Sequence, residues 1–256
     1  MVRRVVITRP AGPYAGGRKL AQQLSDRGYQ VLELPLLRCT PIALSVDNQR
    51  LIEAKLANPN GAWLAFLSPT AVWVWSDLVG RDTPLAEATA QAKIAAQGSG
   101  TADAVRECFG RAPDFIPTVF VAEEFAREFA GRLRSDQSVI VPQSADGRDL
   151  FAPTLGSLGF QAHGIETYQL KPEHITTEAL ATYRSFVDAE TVVIFMSPSA
   201  VRAAVGVFGA SLGTDKVVSV GPITSQALKS AGLPVWQEAR EHSETGVVAV
   251  LQGPTR

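Results

Sequence analysis

The chain has 256 residues, 46% of them hydrophobic and 19% charged, enough for one large domain or two small ones at about 150 residues each. Lys and Arg number 24 against 25 Asp and Glu, so the net charge of -1 gives no global attraction to nucleic acid or to an anionic membrane. The two cysteines, Cys39 and Cys108, form no CxxC and no metal-ligand spacing, which fits a reducing compartment.

After Arg3 and Arg4 only Val5, Val6 and Ile7 precede Arg9-Pro10, too short an apolar run for a secretory signal. Val5 to Ile7 predicts a strand buried on both faces. Leu20, Ala21 and Leu24 then predict a helix, stopped by Gly28. The intervening Gly12 to Lys19 segment has Leu20 where a Walker loop needs Ser or Thr, and it lacks GxGxxG. It reads as a strand-to-helix turn, with Arg9 or Arg18 available to pair with a carboxylate. Glu33 to Pro41 carries two prolines and reads as a connection.

The next apolar run, Trp63 to Leu67, leads into Ser68-Pro69-Thr70-Ala71-Val72, the pattern of an N-cap Ser followed by Pro at the first helical position. Trp73 and Trp75 fall on different faces of that helix, which leaves room for one of them to be exposed, with core or interdomain packing the default. Lys93 to Ala96 predicts a further strand, and Gly98-Ser99-Gly100-Thr101 the start of its helix. Val139 to Val141 resembles the first strand. Phe151, Ala152, Leu155 and Leu158 after it have helical spacing, stopped by Gly159. Glu166 to Pro172 is a second proline-bearing connection. Val192-Val-Ile-Phe-Met-Ser197-Pro-Ser199-Ala-Val201 repeats the second module, and Lys216 to Ser225, containing Gly221-Pro222-Ile-Thr224, repeats the third. The best membrane-span candidate, Thr191 to Gly209, contains Pro198 and Arg202, so a cytoplasmic chain is expected.

Three strand-loop-helix modules, beginning at Val5 (A), Trp63 (B) and Lys93 (C), thus recur at Val139, Val192 and Lys216 in the order A, B, C, A, B, C, which predicts an α/β protein with parallel sheets. Two topologies remain open. In one, each ABC set is a domain. In the other, the connections at 36–41 and 166–172 are interdomain crossings; residues 42–165 then form one domain, and 1–35 with 173–256 the other. The connections' equivalent positions favour the second.

In open parallel sheets ligands bind outside the carboxyl ends of the strands, where all the repeated loops fall. Their helix starts offer free N–H groups and partial positive charge to anions. His163, His174 and His242 are scattered, read as surface or linker residues, and suggest no metal site. No Gly-x-Ser-x-Gly elbow is present. Tyr168, in the second connection, is either a proton or hydrogen-bond donor beside an interdomain cleft or a ring packed on a linker with a wet hydroxyl.

The ordered set Val-Ile-Thr-Arg-Pro, Phe-x-Ser-Pro-x-Ala-Val twice, Thr167-Tyr168, Val220-Gly-Pro-Ile-Thr224 and Ala231-Gly-Leu-Pro234 resembles the uroporphyrinogen-III synthase family. The likeness spans nearly the whole chain and is carried by order and spacing. Two departures stand out: Gln97-Gly-Ser-Gly-Thr101 replaces Val-Gly-x-x-Thr, and Gln143 stands where bacterial relatives often have Arg. The resemblance implies two similar α/β domains, each a parallel sheet flanked by helices, one built from both chain ends and joined to the other by a two-stranded connection. It implies a lyase that cyclises linear hydroxymethylbilane to uroporphyrinogen III, inverting ring D and losing water, with no cofactor and no metal. A monomer is expected. With a polycarboxylate substrate, Thr8, Arg9, Ser197, Ser199, Gly221, Pro222 and Thr224 are expected to contact it from one domain. Ser68, Thr70, Gly98, Ser99, Thr101, Ser144 and Arg148 are expected to do so from the other, with Tyr168 the possible general acid. The other reading is a two-domain binding protein that closes on a small anionic ligand without chemistry.

Overall fold

The computed structural model describes residues 4–10, 12–14, 17–57, 61–80, 83–147, 150–209 and 211–252. In chain order the elements begin with β1 (Arg4–Ile7), α1 (Gly17–Ser25), β2 (Gln30–Glu33), β3 (Leu37–Pro41) and α2 (Val46–Leu56). There follow β4 (Ala62–Phe66), α3 (Pro69–Val79), α4 (Pro84–Gln91), β5 (Lys93–Ala96), α5 (Ser99–Phe109) and α6 (Ala122–Ala130). Then come β6 (Ser138–Ser144), α7 (Phe151–Ser157), β7 (Gln161–Pro172), α8 (Thr177–Phe186) and β8 (Val192–Phe195). The chain closes with α9 (Pro198–Phe208), β9 (Val217–Ser219), α10 (Pro222–Ser230), β10 (Gln237–Glu238) and α11 (Glu244–Gln252). The chain divides into two compact units, Met1–Cys39 with Leu170–Arg256 and Thr40–Gln169. Both division points fall inside strands, β3 and β7, which are neighbours in one sheet.

The discontinuous unit holds a 5-stranded sheet in the order β10-β9-β8-β1-β2, with parallel pairing throughout. Val5 pairs with Val31 on one side and Val192 on the other. Successive residues of β1 serve opposite faces, as strand geometry requires. Val6 joins Val193, Phe195 and Val217 under α9 and α10. Val5 and Ile7 join Ile194 and Val218 under α1 and α11, against Leu20, Leu24 and Val247. With both faces covered, the strands read as unbroken apolar runs. Tyr183 of α8 is buried and donates to the Leu212 carbonyl at 2.7 Å; burial pushes its phenol up to about 12.

The continuous unit holds the order β3-β7-β6-β4-β5. Its β7-β6, β6-β4 and β4-β5 pairs are parallel, and an isolated parallel bridge from Ala95 to Phe115 extends the β5 edge. Trp63, Ala65, Val139 and Val141 face a cluster of Phe125, Phe129, Phe151 and Leu155. Its rings meet closely, Phe125 with Phe151 at 4.5 Å between centroids and Trp63 edge-on to Phe129 at 4.9 Å. Leu64, Phe66, Ile94 and Ile140 alternate with these residues and are buried as well, which places them on the other face. Trp75 is in the core and donates to Thr89 at 3.3 Å; Trp73 is half-buried. Burial pushes the Cys39 thiol up to about 11, so it is protonated and inert at neutral pH.

Two sequence expectations need correction. Leu158 does not belong to the buried stripe of α7: it caps the helix and is 46% exposed, leaving Phe151, Ala152 and Leu155 to cover the sheet. His163 is half-buried rather than open on the surface. It sits in β7 opposite Ile140 with its Nε2 buried and unpartnered, whereas His174 and His242 are exposed. Burial, with the nearby Lys55 charge, lowers the His163 pKa.

The folded protein therefore holds the His163 proton less tightly than the unfolded chain does. Stability should fall as the pH drops below the ordinary histidine value of about 6.5, and His163→Gln should flatten that part of a urea-stability profile. A second expectation concerns α11. A Cβ on Gly246 would lie 2.0 Å from the Glu241 carbonyl oxygen, so Gly246→Ala should lower unfolding free energy by about 1–3 kcal/mol. Gly206, exposed within α9 with nothing within 4 Å of a built Cβ, is the contrast: Gly206→Ala should raise it by up to about 1 kcal/mol.

Candidate active site

The polar groups of each unit gather where strands end and helices begin. In the continuous unit β4 ends at Phe66, and Ser68 caps α3 by accepting from the Ala71 N–H at 3.2 Å, with Pro69 opening the helix. In the discontinuous unit β8 ends at Phe195, and Ser197 caps α9 from Ala200 at 3.2 Å, with Pro198 opening it. The caps have nearly the same backbone, φ -156 and ψ 155 against φ -161 and ψ 155. Sequence repetition has become geometric repetition.

The third modules match in the same way. Gly98 and Gly221 are the caps of α5 and α10, both fully extended. That conformation suits any residue, so the reason for glycine lies in space. A Cβ at Gly98 would make ordinary contact with the Phe120 ring at 3.5 Å, whereas one at Gly221 would meet the His242 ring at 2.8 Å. Only in the second copy would a side chain force a neighbour, the His242 ring, to shift. Gln97 donates from Nε2 to the Phe120 carbonyl at 3.0 Å, so this departure from the commoner pattern ties the loop to the segment between α5 and α6. Thr101 and Thr224, in the first turns, are buried.

Tyr168 is 6% exposed. Its hydroxyl lies 3.1 Å from Ser68 Oγ, across 100 residues of sequence. Its carbonyl accepts from Ala145 N–H at 2.8 Å. The β6-β7 register shifts at Gln143/Ser144, so that Ser144 faces Tyr168. Ser144 Oγ accepts from the Asp146 N–H at 3.3 Å, and the Ser144 carbonyl from Gly147 at 3.1 Å. Ser68, Ser144 and Tyr168 are thus brought together; Thr70 is half-buried two residues after Ser68. Arg148 lies outside the described residues.

In the discontinuous unit Thr8 is 2% exposed and donates to the Ile194 carbonyl at 2.7 Å. Its hydroxyl ties β1 to β8. Arg9 is ion-paired with Glu244 in the first turn of α11, both side chains mostly covered. Its charge is partly met within the protein, and the carboxylate also suits the positive end of α11. Ser199 accepts from Arg202 at 2.9 Å. Pro222 is exposed. Behind α10, Ser219 and Ser225 hydroxyls are 2.6 Å apart and Ser225 donates to Glu238, an internal brace for the Gly221 loop.

Sequence reasoning missed the pairing of Glu244 with Arg9 and the approach of His242 to Gly221. Each residue lies far along the chain from its partner, Arg9 at 235 positions from Glu244; the paired signs of Arg9 and Glu244 carried no positional signal. Among the described residues no three His, Cys, Asp or Glu gather to hold a metal ion, and no helix is long and apolar enough to cross a membrane. Because the Thr8 hydroxyl is committed to Ile194, Thr8→Val should lower stability by about 1 kcal/mol, read from a thermal or urea transition.

Residues 18–249 match the family described as uroporphyrinogen-III synthase HemD. The uroporphyrinogen-III synthase of Synechococcus elongatus is 26% identical over 97% of this chain and 94% of its own length. The crystal structure of uroporphyrinogen-III synthetase from Helicobacter pylori superposes with a TM-score of 0.65 at 16% identity, covering 99% of this chain and 100% of that one. A mutant uroporphyrinogen III synthase from Thermus thermophilus gives 0.53 at 18% identity, covering 97% of each chain. These structures share the fold; the family match extends over nearly all of the sequence, and the chain belongs to the uroporphyrinogen-III synthase family, lyases of porphyrin biosynthesis.

Proposed function

We propose that the chain closes linear hydroxymethylbilane to uroporphyrinogen III with inversion of ring D, and that Tyr168 is its proton donor. The observation that carries the second part is the nearly buried Tyr168 hydroxyl, held beside the start of α3 by Ser68. The substrate bears two carboxylates on each ring. The starts of α3, α5, α9 and α10 follow directly on strand ends and present free N–H groups at their positive poles. Backbone donors at Thr70, Ser99, Ser199, Ile223 and Thr224, with the extended Gly98 and Gly221, would take those carboxylates, and the exposed Pro222 ring would lie beside them. Ser144 and Thr101 would shape the loops around them. Thr8 would contribute through its backbone, since its hydroxyl is used internally, and Arg9 would share its charge between Glu244 and substrate.

The chemistry asks little of side chains. Tyr168 passes its proton to the ring-A hydroxyl, the C–O bond breaks, and water leaves an electrophilic azafulvene. The substituted carbon of ring D attacks and gives a spiro intermediate, which fragments and recloses with ring D reversed. The proton released at the closing ring-D carbon restores the phenol. The elements of water lost are the ring-A hydroxyl and that proton, so the balance needs no cofactor. Unassisted closure gives the type I isomer; holding the chain ends for the spiro route is the larger task, and orientation supplies much of the barrier reduction.

Supplied with hydroxymethylbilane, the protein should yield type III isomer on chromatography after oxidation. Type I alone, at the uncatalysed rate, would leave a binding protein. Tyr168→Phe should lower turnover by about 10²-fold, the low end for general acid catalysis. Thr224→Ala should raise KM or lower stability by about 1 kcal/mol, with turnover changed little.

A further inference from the structure

We infer that Ser68 is a positioning residue for Tyr168 and not a substrate contact; this rests on the reading of Tyr168 as proton donor. Both partners belong to the continuous unit, and both are fixed by structure independent of their mutual bond. The conformation of Ser68 is set by the α3 cap, where Oγ accepts from Ala71 N–H at 3.2 Å, and by Pro69 next to it. Tyr168 is fixed by its neighbours in β7. Its carbonyl accepts from Ala145 at 2.8 Å, the preceding carbonyl of Thr167 accepts from Ile42 at 2.8 Å, and the Thr167 hydroxyl donates to Gln143 at 3.3 Å.

The strand irregularity explains where the ring goes. Gln143 pairs with Glu166 but Ser144 pairs with Tyr168, so Thr167 is an extra residue on β7. Such a bulge re-aims the side chain that follows it. The burial pattern shows the effect: Thr167 and Tyr168 are buried in succession, where regular alternation would expose one of them. The re-aimed ring delivers its hydroxyl to 3.1 Å from Ser68 Oγ.

A serine hydroxyl has one proton to donate and two acceptor sites. The Ala71 N–H fills one acceptor site. The other can accept from the phenol in the resting state. Once Tyr168 has given its proton to the departing hydroxyl, rotation about the Ser68 Cβ–Oγ bond turns the serine proton toward the phenolate, and the α3 cap stays intact. When ring closure returns a proton to Tyr168, Ser68 reverts to acceptor. Ser68 neither gains nor loses a proton through the cycle; it orients the phenol and meets the charge that develops on it.

The test is a double-mutant cycle on the whole chain, with hydroxymethylbilane as substrate. Ser68→Ala should lower kcat by about 10-fold, the worth of one hydrogen bond, with KM within about twofold of wild type, and Ser68→Thr should restore it. In the Tyr168→Phe background Ser68→Ala should bring no further fall. Ser68→Asn separates the two roles, because Asn caps helices as well as Ser does: stability should hold while kcat falls. Ser45→Ala removes the equivalent cap of α2, where Ser45 Oγ accepts from Asn48 at 3.2 Å, and should lower stability with kcat unchanged. Equal falls on Ser68→Ala in both backgrounds would overturn the inference, as would a raised KM with kcat intact. Wild-type turnover in Tyr168→Phe would overturn the reading of Tyr168 itself, and the positioning role with it.

Discussion

A parallel strand covered on both faces has room for polar side chains only at its ends. Val5, Val6 and Ile7 are the buried part of β1 and Val192 to Phe195 make β8, while Leu64, Phe66, Ile94 and Ile140 share the other sheet with Trp63, Val139 and Val141. An unpaired polar group among them would have to give up water for nothing. The rest of the arrangement follows. Hydroxyls and charges are displaced to the loops, and at the carboxyl ends those loops run into the positive poles of helices. The buried polar groups near these ends have a partner that closes a loop, as Thr8 has in Ile194 and Ser225 in Ser219. The chemical surface is thereby concentrated on one edge of each sheet by the requirements of the core alone.

The parts of the structure fixed by short-range rules were readable from sequence. Ser-Pro before a buried helix is a cap by local stereochemistry, and Ser68 and Ser197 are caps. Gly28 and Gly159 follow α1 and α7 with positive φ, as helix-ending glycines do. Apolar runs without alternation announced strands covered on both faces. What escaped was set by partners distant in sequence. Nothing in Tyr168 or its neighbours announces Ser68, and the bulge that directs the ring is a two-strand property. The expected connection at Leu37 to Pro41 is an edge strand beside β7, the position where a sheet tolerates proline, but its pairing is again a property of two strands and not of its own residues. His163 has the composition of an isolated polar residue; only the pairing of β7 with β6 puts its Nε2 under cover.

The two units use one template differently. Their second modules are nearly superimposable at the cap, and their third modules share the extended glycine. Divergence lies in what each loop leans on: Phe120 and Gln97 at Gly98, His242 at Gly221. It lies also in the strand after the first helix. The copy in the discontinuous unit, β2, has 4 residues and stops at Glu33; its counterpart β7 has 12 and carries Tyr168 beyond the bulge. A repeated scaffold thus supplies similar helix starts at the strand ends, and a single lengthened strand brings the Tyr168 phenol beside Ser68.

The split unit has a consequence for biosynthesis. β1 leaves the ribosome before its inner partner β8, which is encoded beyond the entire continuous unit. Thr40–Gln169 can therefore complete its sheet while β1, β2 and α1 still wait, with Val5, Ile7, Leu20 and Leu24 lacking the residues of β8, β9 and α11 that cover them in the finished protein. A nascent chain with an open parallel edge is exposed to wrong pairing for as long as the ribosome takes to reach Val192. Elongation speed across the continuous unit therefore sets how long that edge stays open, and so contributes to the yield of folded protein.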